Sequence, residues 1–182
     1  MSTKVRAVLS ALAIVLATLA GEKAIERVPT PGPGCPDSGI AVLWATSAEK
    51  CEAHRALTTL PALDRMQINW VAFVTEMPAA VTVQGINCTT NSGVYFYESG
   101  FYVCHSVSGQ GGALAVRAVV LHEASHRVHF AYGMDAAVYN FTTRQWDTRA
   151  EETNACRYAD YYASRAGLSI NRYWSCYPGL GL

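Results

Sequence analysis

Six cysteines in a chain of 182 residues set the tightest bound on its architecture. They fall into three neighbouring couples: Cys35 with Cys51, Cys88 with Cys104, and Cys156 with Cys176. No C-x-x-C spacing occurs, so the pattern is not that of a zinc finger. In an oxidising compartment an even number of cysteines is read as a disulfide framework. Many pairings are open to six cysteines. Pairing in chain order is the expectation, because each couple then closes a loop of similar length around a local unit. Each such bridge stabilises the fold by about 2–4 kcal/mol through a restricted unfolded chain.

The first residues supply a reason to expect that compartment. Lys4 and Arg6 precede an apolar run from Ala7 to Ala20, broken only by Ser10 and Thr18. Thr18 and Ala20 then place small residues where a signal peptidase cuts. The run of 14 residues falls short of the roughly 20 that span a bilayer. Residues 1–20 are therefore expected to be a cleaved signal peptide, with an uncleaved signal-anchor as the alternative. Cleavage would leave a net charge of −2. Pro29 to Pro36 holds four of the seven prolines and cannot be helical, so residues 21–34 read as a linker and residues 35–182 as one domain. Apolar residues at 51% suffice for a buried core, while a net charge of zero lacks the basic excess that phosphate contacts require. A secreted protein of the extracellular space or cell envelope is expected, with no nucleic-acid partner and no stable membrane span after cleavage.

Within the domain, Ser47 to about Met66 carries a helical pattern with Ser47 as N-cap, no capping box because Lys50 occupies its far position, and an interruption at Pro61. Ile68–Thr75 and Ala79–Gln84 read as strands separated by Pro78. Val94–Tyr97 and Phe101–His105 flank Glu98-Ser99-Gly100, a hairpin signal with glycine in the turn. A helix over about Ala113–Ala131 follows Gly111-Gly112 and stops at Gly133, and a last helix runs from about Arg149 to Ala166 and stops at Gly167. Segregated helices and strands define an α+β fold, with a small antiparallel or mixed sheet whose edge β-ribbon packs on the central helix.

That central helix contains His122-Glu123-Ala124-Ser125-His126, an H-E-x-x-H motif. Histidines at i and i+4 share one helix face, so both imidazoles can reach one Zn²⁺ at about 2.0–2.1 Å. Glu123 sits about 100° round the wheel, where it can act as general base toward a metal-activated water. The β-ribbon just before this helix would present an edge able to bind extended peptide by strand addition. Thr148 and Glu151 form a capping-box pattern, which gives Glu151 a structural role and leaves Glu152 for the metal. Glu152, Ala155, Ala159, Ala163 and Ala166 then make a stripe, small after its first member, that lets the last helix pack closely on the central one. His122, His126 and Glu152 would hold one zinc ion with a fourth position open, as a catalytic site requires.

H-E-x-x-H on one helix followed by Glu152-x-x-Ala155-x-x-Tyr158-Ala159 on the next resembles the gluzincin metallopeptidases, closest to the small secreted zinc peptidases of minimal-zincin type. The resemblance spans roughly Gly93–Ala166. It implies His122, His126 and Glu152 as zinc ligands, Glu123 as the base and a peptide or protein substrate. Many members of that family carry an acid four residues after the ligand glutamate, bonded to a zinc histidine. Cys156 stands there instead, which points to Asp160 or a backbone carbonyl as the orienting group.

His129 lies about 10.5 Å along the axis from His122, too far to share the ion, which leaves it a substrate-pocket role or none. Tyr132, Tyr139 and Tyr158 could donate to a developing oxyanion. His54 and His105 read as surface or hydrogen-bonded histidines. Asn87-Cys88-Thr89 and Asn140-Phe141-Thr142 match glycosylation sequons. Two further function classes stay open beside the peptidase: a zinc-holding binding module without turnover, and a structural disulfide-braced domain.

Overall fold

The computed structural model describes residues 34–168 apart from 83–84, 90–92, 97–98, 135–137, 141–144 and 148. The expected signal peptide and nearly all of the linker, Tyr97, Glu98, Thr148 and Cys176 lie outside the described residues, as do the side chains of Tyr139 and Asn140. Those described all belong to one unit, Pro31–Leu182. Among them no helix is long and apolar enough to cross a membrane.

The architecture is mixed α+β. A four-stranded sheet has the order β1 (Ala41–Leu43), β2 (Trp70–Val74), β4 (Gly100–Cys104), β3 (Gly93–Phe96). The strands β1, β2 and β4 run parallel, with Ala41 opposite Trp70 and Trp70 opposite Gly100, whereas β3 runs antiparallel to β4 with Val94 opposite Tyr102. The sheet is therefore mixed and mostly parallel; a purely antiparallel one is not found. The reason is visible in Val71-Ala72-Phe73-Val74, four buried residues in a row. Such an unbroken apolar run suits a parallel strand covered on both faces. A second, two-stranded antiparallel ribbon pairs β5 (Val138–Asn140) with β6 (Gln145–Asp147).

The helices are α1 (Ser47–Leu57), α2 (Ala62–Arg65), α3 (Ala79–Thr82), α4 (Ser106–Ala131) and α5 (Arg149–Arg165). Pro61 does divide α1 from α2. The cap of α1, however, is Thr46, one residue before the expected Ser47, and it forms the capping box that was not expected: its hydroxyl accepts from the Glu49 amide, and the Glu49 carboxylate accepts from the Thr46 amide. The segment from Ala79, expected as a strand, begins as the helical turn α3. Pro78 starts it, and its carbonyl accepts from the amides of Val81 and Thr82, so the local backbone bonds are satisfied within the turn.

Helix α4 starts earlier than the expected Ala113 and breaks at Gly112, whose φ of 60° and ψ of −148° only glycine adopts readily. The body after this break is the expected helix. It ends in a Schellman motif, with Gly133 at φ 65° and the Met134 amide bonded to the His129 carbonyl at 2.8 Å. In the β3–β4 turn the left-handed residue is Ser99, at φ 104°. Gly100 serves a different need: a Cβ there would run into the ring of Trp70 on the neighbouring strand.

Helix α4 packs on α1, on α5 and on strands β3 and β4, so it is the central element. Phe73, Phe101, Leu57, Leu121, Val116, Val120 and Val128 fill the core between it and the sheet. Two disulfides join Cys35 to Cys51 and Cys88 to Cys104, in chain order as expected. Cys156 is also disulfide-bonded.

Candidate metal centre

The motif helix buries both of its histidines. His122 and His126 are each 6% exposed and sit one turn apart, so their rings stand one above the other, 4.7 Å between centroids. Helix α5 reaches them because Ala155, Ala159 and Ala163 are buried and small, which lets the two helices approach closely. Ala166 lies past the end of α5 and is exposed, so the stripe stops at Ala163.

Three atoms converge. His122 Nε2 is 3.1 Å from His126 Nε2 and 3.0 Å from Glu152 Oε2, and His126 Nε2 is 3.6 Å from the same oxygen. Donors about 2.0–2.1 Å from one tetrahedral ion stand about 3.3 Å from each other, which is the middle of that set. His122, His126 and Glu152 are also the group of metal-capable side chains found among the described residues. The donor chemistry, two imidazoles and a carboxylate, suits zinc. The Glu152 side chain is 48% exposed, so the site opens to solvent on that side.

The outer nitrogens of the two histidines meet different acceptors. His126 Nδ1 is 3.0 Å from Glu151 Oε1, and His122 Nδ1 is 3.6 Å from Cys156 Sγ. Glu151 is the residue that sequence reasoning missed. The capping-box pattern assigned it to the helix end, but its carboxylate holds His126. The adjacent pair Glu151-Glu152 in a first turn facing two histidines was the available signal. The orienting position expected to be served by Asp160 or a backbone carbonyl is faced by Cys156 itself, whose sulfur contacts His122. Asp160 lies eight residues, about 12 Å, along α5 from Glu152.

Electrostatics follow this geometry. Burial pushes the His126 imidazole down, but its bonds to Glu151 and Glu152 and the nearby charge of Glu123 outweigh that, and its pKa is raised to about 10. Burial acts to raise Glu152, yet the bonds from His122 and His126 hold it well below the ordinary carboxylate range. A metal ion bound there would compete with protons for the two imidazoles.

Glu123 is buried on the same helix beneath strand β3. A Cβ added to Gly93 would stand 2.9 Å from Glu123 Cγ, from Glu123 Oε1 and from Val119 Cγ1. Glycine at position 93 is what lets this edge strand lie directly against the carboxylate.

The remaining candidates gather elsewhere. Tyr158 and Tyr132 donate to the two oxygens of Asp64, at 2.6 and 3.2 Å, and the His129 ring stands edge-on to Tyr158 at 5.5 Å with its Nδ1 3.3 Å from Ser125 Oγ. Burial and the Asp64 carboxylate together push the Tyr158 phenol well above its usual range. His105 bonds Glu49 and His54 bonds Ser38, the hydrogen-bonded roles expected of them.

Comparison with known protein families, with curated proteins and with solved structures finds no match for this chain.

Proposed function

We propose that this protein is a secreted zinc metallopeptidase. The observation that carries the reading is the convergence of His122 Nε2, His126 Nε2 and Glu152 Oε2 within 3.0 to 3.6 Å, next to a buried glutamate and under a sheet edge. His122, His126 and Glu152 would hold the ion. When bound, zinc supplies Lewis acidity and lowers the pKa of water to near neutrality. Strand β3 ends the sheet order, so its outer edge is the place for an extended peptide to add as a further strand. Glu123, held against Gly93 of that strand, takes a proton from the attacking water and returns it to the leaving amide nitrogen. Glu151 fixes the His126 ring through Nδ1.

One observation favours a second reading. A sulfur, a weaker acceptor than the carboxylate on His126, faces His122, and this suits a zinc-holding binding module that does not turn over. Zinc analysis combined with cleavage of a peptide library tests both. Glu123→Gln is expected to keep one zinc per chain while hydrolysis falls to background. Full activity in that variant would sink the mechanism. A zinc-loaded parent that cleaves nothing would leave the binding module, and a parent without zinc would leave a structural domain.

A further inference from the structure

The Nδ1 of His122 faces the sulfur of Cys156 at 3.6 Å, with His122 6% and Cys156 4% exposed. The histidine can bind a metal through Nε2 only if Nε2 keeps its lone pair, which puts the ring proton on Nδ1. That proton then needs an acceptor in a place with little access to water. Cys156 is disulfide-bonded. A disulfide sulfur carries lone pairs and no proton, so it can accept and never donate. A free thiol at the same position could turn its S–H toward Nδ1, which would move the ring proton to Nε2 and close off the metal-binding tautomer.

We infer that Cys156 is a positioning residue for the metal centre: its disulfide sulfur accepts the Nδ1–H of His122, so the site's affinity for metal depends on that bridge being oxidised. This rests on the metal-site reading above. It also explains an asymmetry between the two histidines: the Glu151 carboxylate faces Nδ1 of His126, whereas the softer sulfur of Cys156 faces Nδ1 of His122. His122 is therefore the ligand whose orientation an oxidation state controls.

Cys156→Ala and Cys156→Asp both remove the disulfide, and they differ in whether an acceptor remains. Zinc affinity, read by competition with a chromogenic chelator, is expected to fall about 10-fold or more in the alanine variant. The aspartate variant should recover most of that loss, while the metal-free melting temperatures of the two stay close. Equal affinities in the two variants would overturn the inference.

A second measurement uses the parent chain and does not depend on either variant folding. A phosphine reductant splits each S–S bond, those of Cys35–Cys51 and Cys88–Cys104 included, to two thiols and becomes the phosphine oxide with an oxygen from water, so the histidine resonances carry the site-specific readout. After its removal under anaerobic conditions, zinc affinity should drop, and the His122 Nδ1–H resonance of the zinc-loaded chain should shift. The His126 Nδ1–H resonance, held by Glu151, serves as the internal control and should stay. Unchanged or tighter binding, or the same shift at both histidines, would overturn the proposal. Absence of stoichiometric zinc in the oxidised parent would instead sink the metal-site reading itself.

Discussion

Two groups of histidine and glutamate in this molecule look alike by distance and differ in what surrounds them. Where the N-terminal ends of α1 and α4 meet, the Glu49 carboxylate accepts from the Thr46 amide at 2.8 Å and from Thr46 Oγ1, Ser108 Oγ and His105 Nδ1 at 2.9 Å. Donors saturate it, and Glu49 is only 2% exposed. At the other group, His122 Nε2, His126 Nε2 and Glu152 Oε2 face one another, and the carboxylate is half open to solvent. The first arrangement is complete as it stands. The second gathers three atoms that could share a proton or, on the proposed function, hold a metal ion between them. A His–Glu distance near 3 Å therefore says little, and the direction of the remaining donors and acceptors says what the pair is for.

The comparison breaks most sharply under histidine removal. His126→Ala takes away one of the three proposed ligands and should weaken zinc binding on the order of a hundredfold or more, since each ligand would carry a large share of the site's free energy. His105→Ala should leave zinc affinity unchanged and cost about 1–3 kcal/mol of folding stability, because Glu49 loses a charge-assisted bond in a buried place. Chelator competition and urea unfolding on both variants read the two effects. The distinction fails if both variants lose zinc alike.

A smaller effect is expected at Gly93. Alanine there would place a methyl 2.9 Å from the Glu123 carboxylate and from Val119, so either the strand or the base must shift. Hydrolysis should fall about 10–100-fold, as misplacing a catalytic group by an ångström typically does. Zinc should stay bound, because the atoms the new methyl would strike belong to Glu123 and Val119 and to none of the three proposed ligands. Loss of zinc in Gly93→Ala would show that β3 supports the histidines and not the base.

How much of this was legible beforehand depends on how local each feature is. His122 and His126 share a helix, so their common face follows from helical spacing alone, and the β3–β4 hairpin and the stops at Gly133 and Gly167 are equally local. Glu152 was reachable because the alanine stripe implies a close helix pair. Glu151 was not, since a capping box and a bond to His126 make the same demand on its sequence position and only space separates them. The acceptor role of Cys156 was hidden for a similar reason: its partner lies 34 residues away in a different helix. Strand β1, three residues long, has too little pattern to register, and it exists because β2 offers it a parallel partner. Ala79–Thr82 went wrong because Val81 and Thr82 favour strands while Pro78 starts a helical turn, and the turn satisfied its backbone at once.

The smallest effect concerns acid. Burial acts to raise Glu49, but the bonds from His105, from the Thr46 amide and hydroxyl and from Ser108 outweigh it, so its folded pKa lies below the ordinary carboxylate value. A carboxylate depressed on folding contributes stability that is present above its unfolded pKa and is lost as pH falls through the folded one. Glu49→Gln removes the charge and keeps the shape. At pH 7 the variant should be about 1–2 kcal/mol less stable than the parent. Toward pH 2 the parent's own carboxyl protonates, its advantage disappears, and the two urea curves should converge. The metal-free forms are the ones to compare, because zinc binding would add its own pH dependence through His126. Curves that stay apart by the same amount at both ends would show that Glu49 acts through packing, and the contrast between a saturated carboxylate and the proposed metal-binding one would lose its electrostatic half.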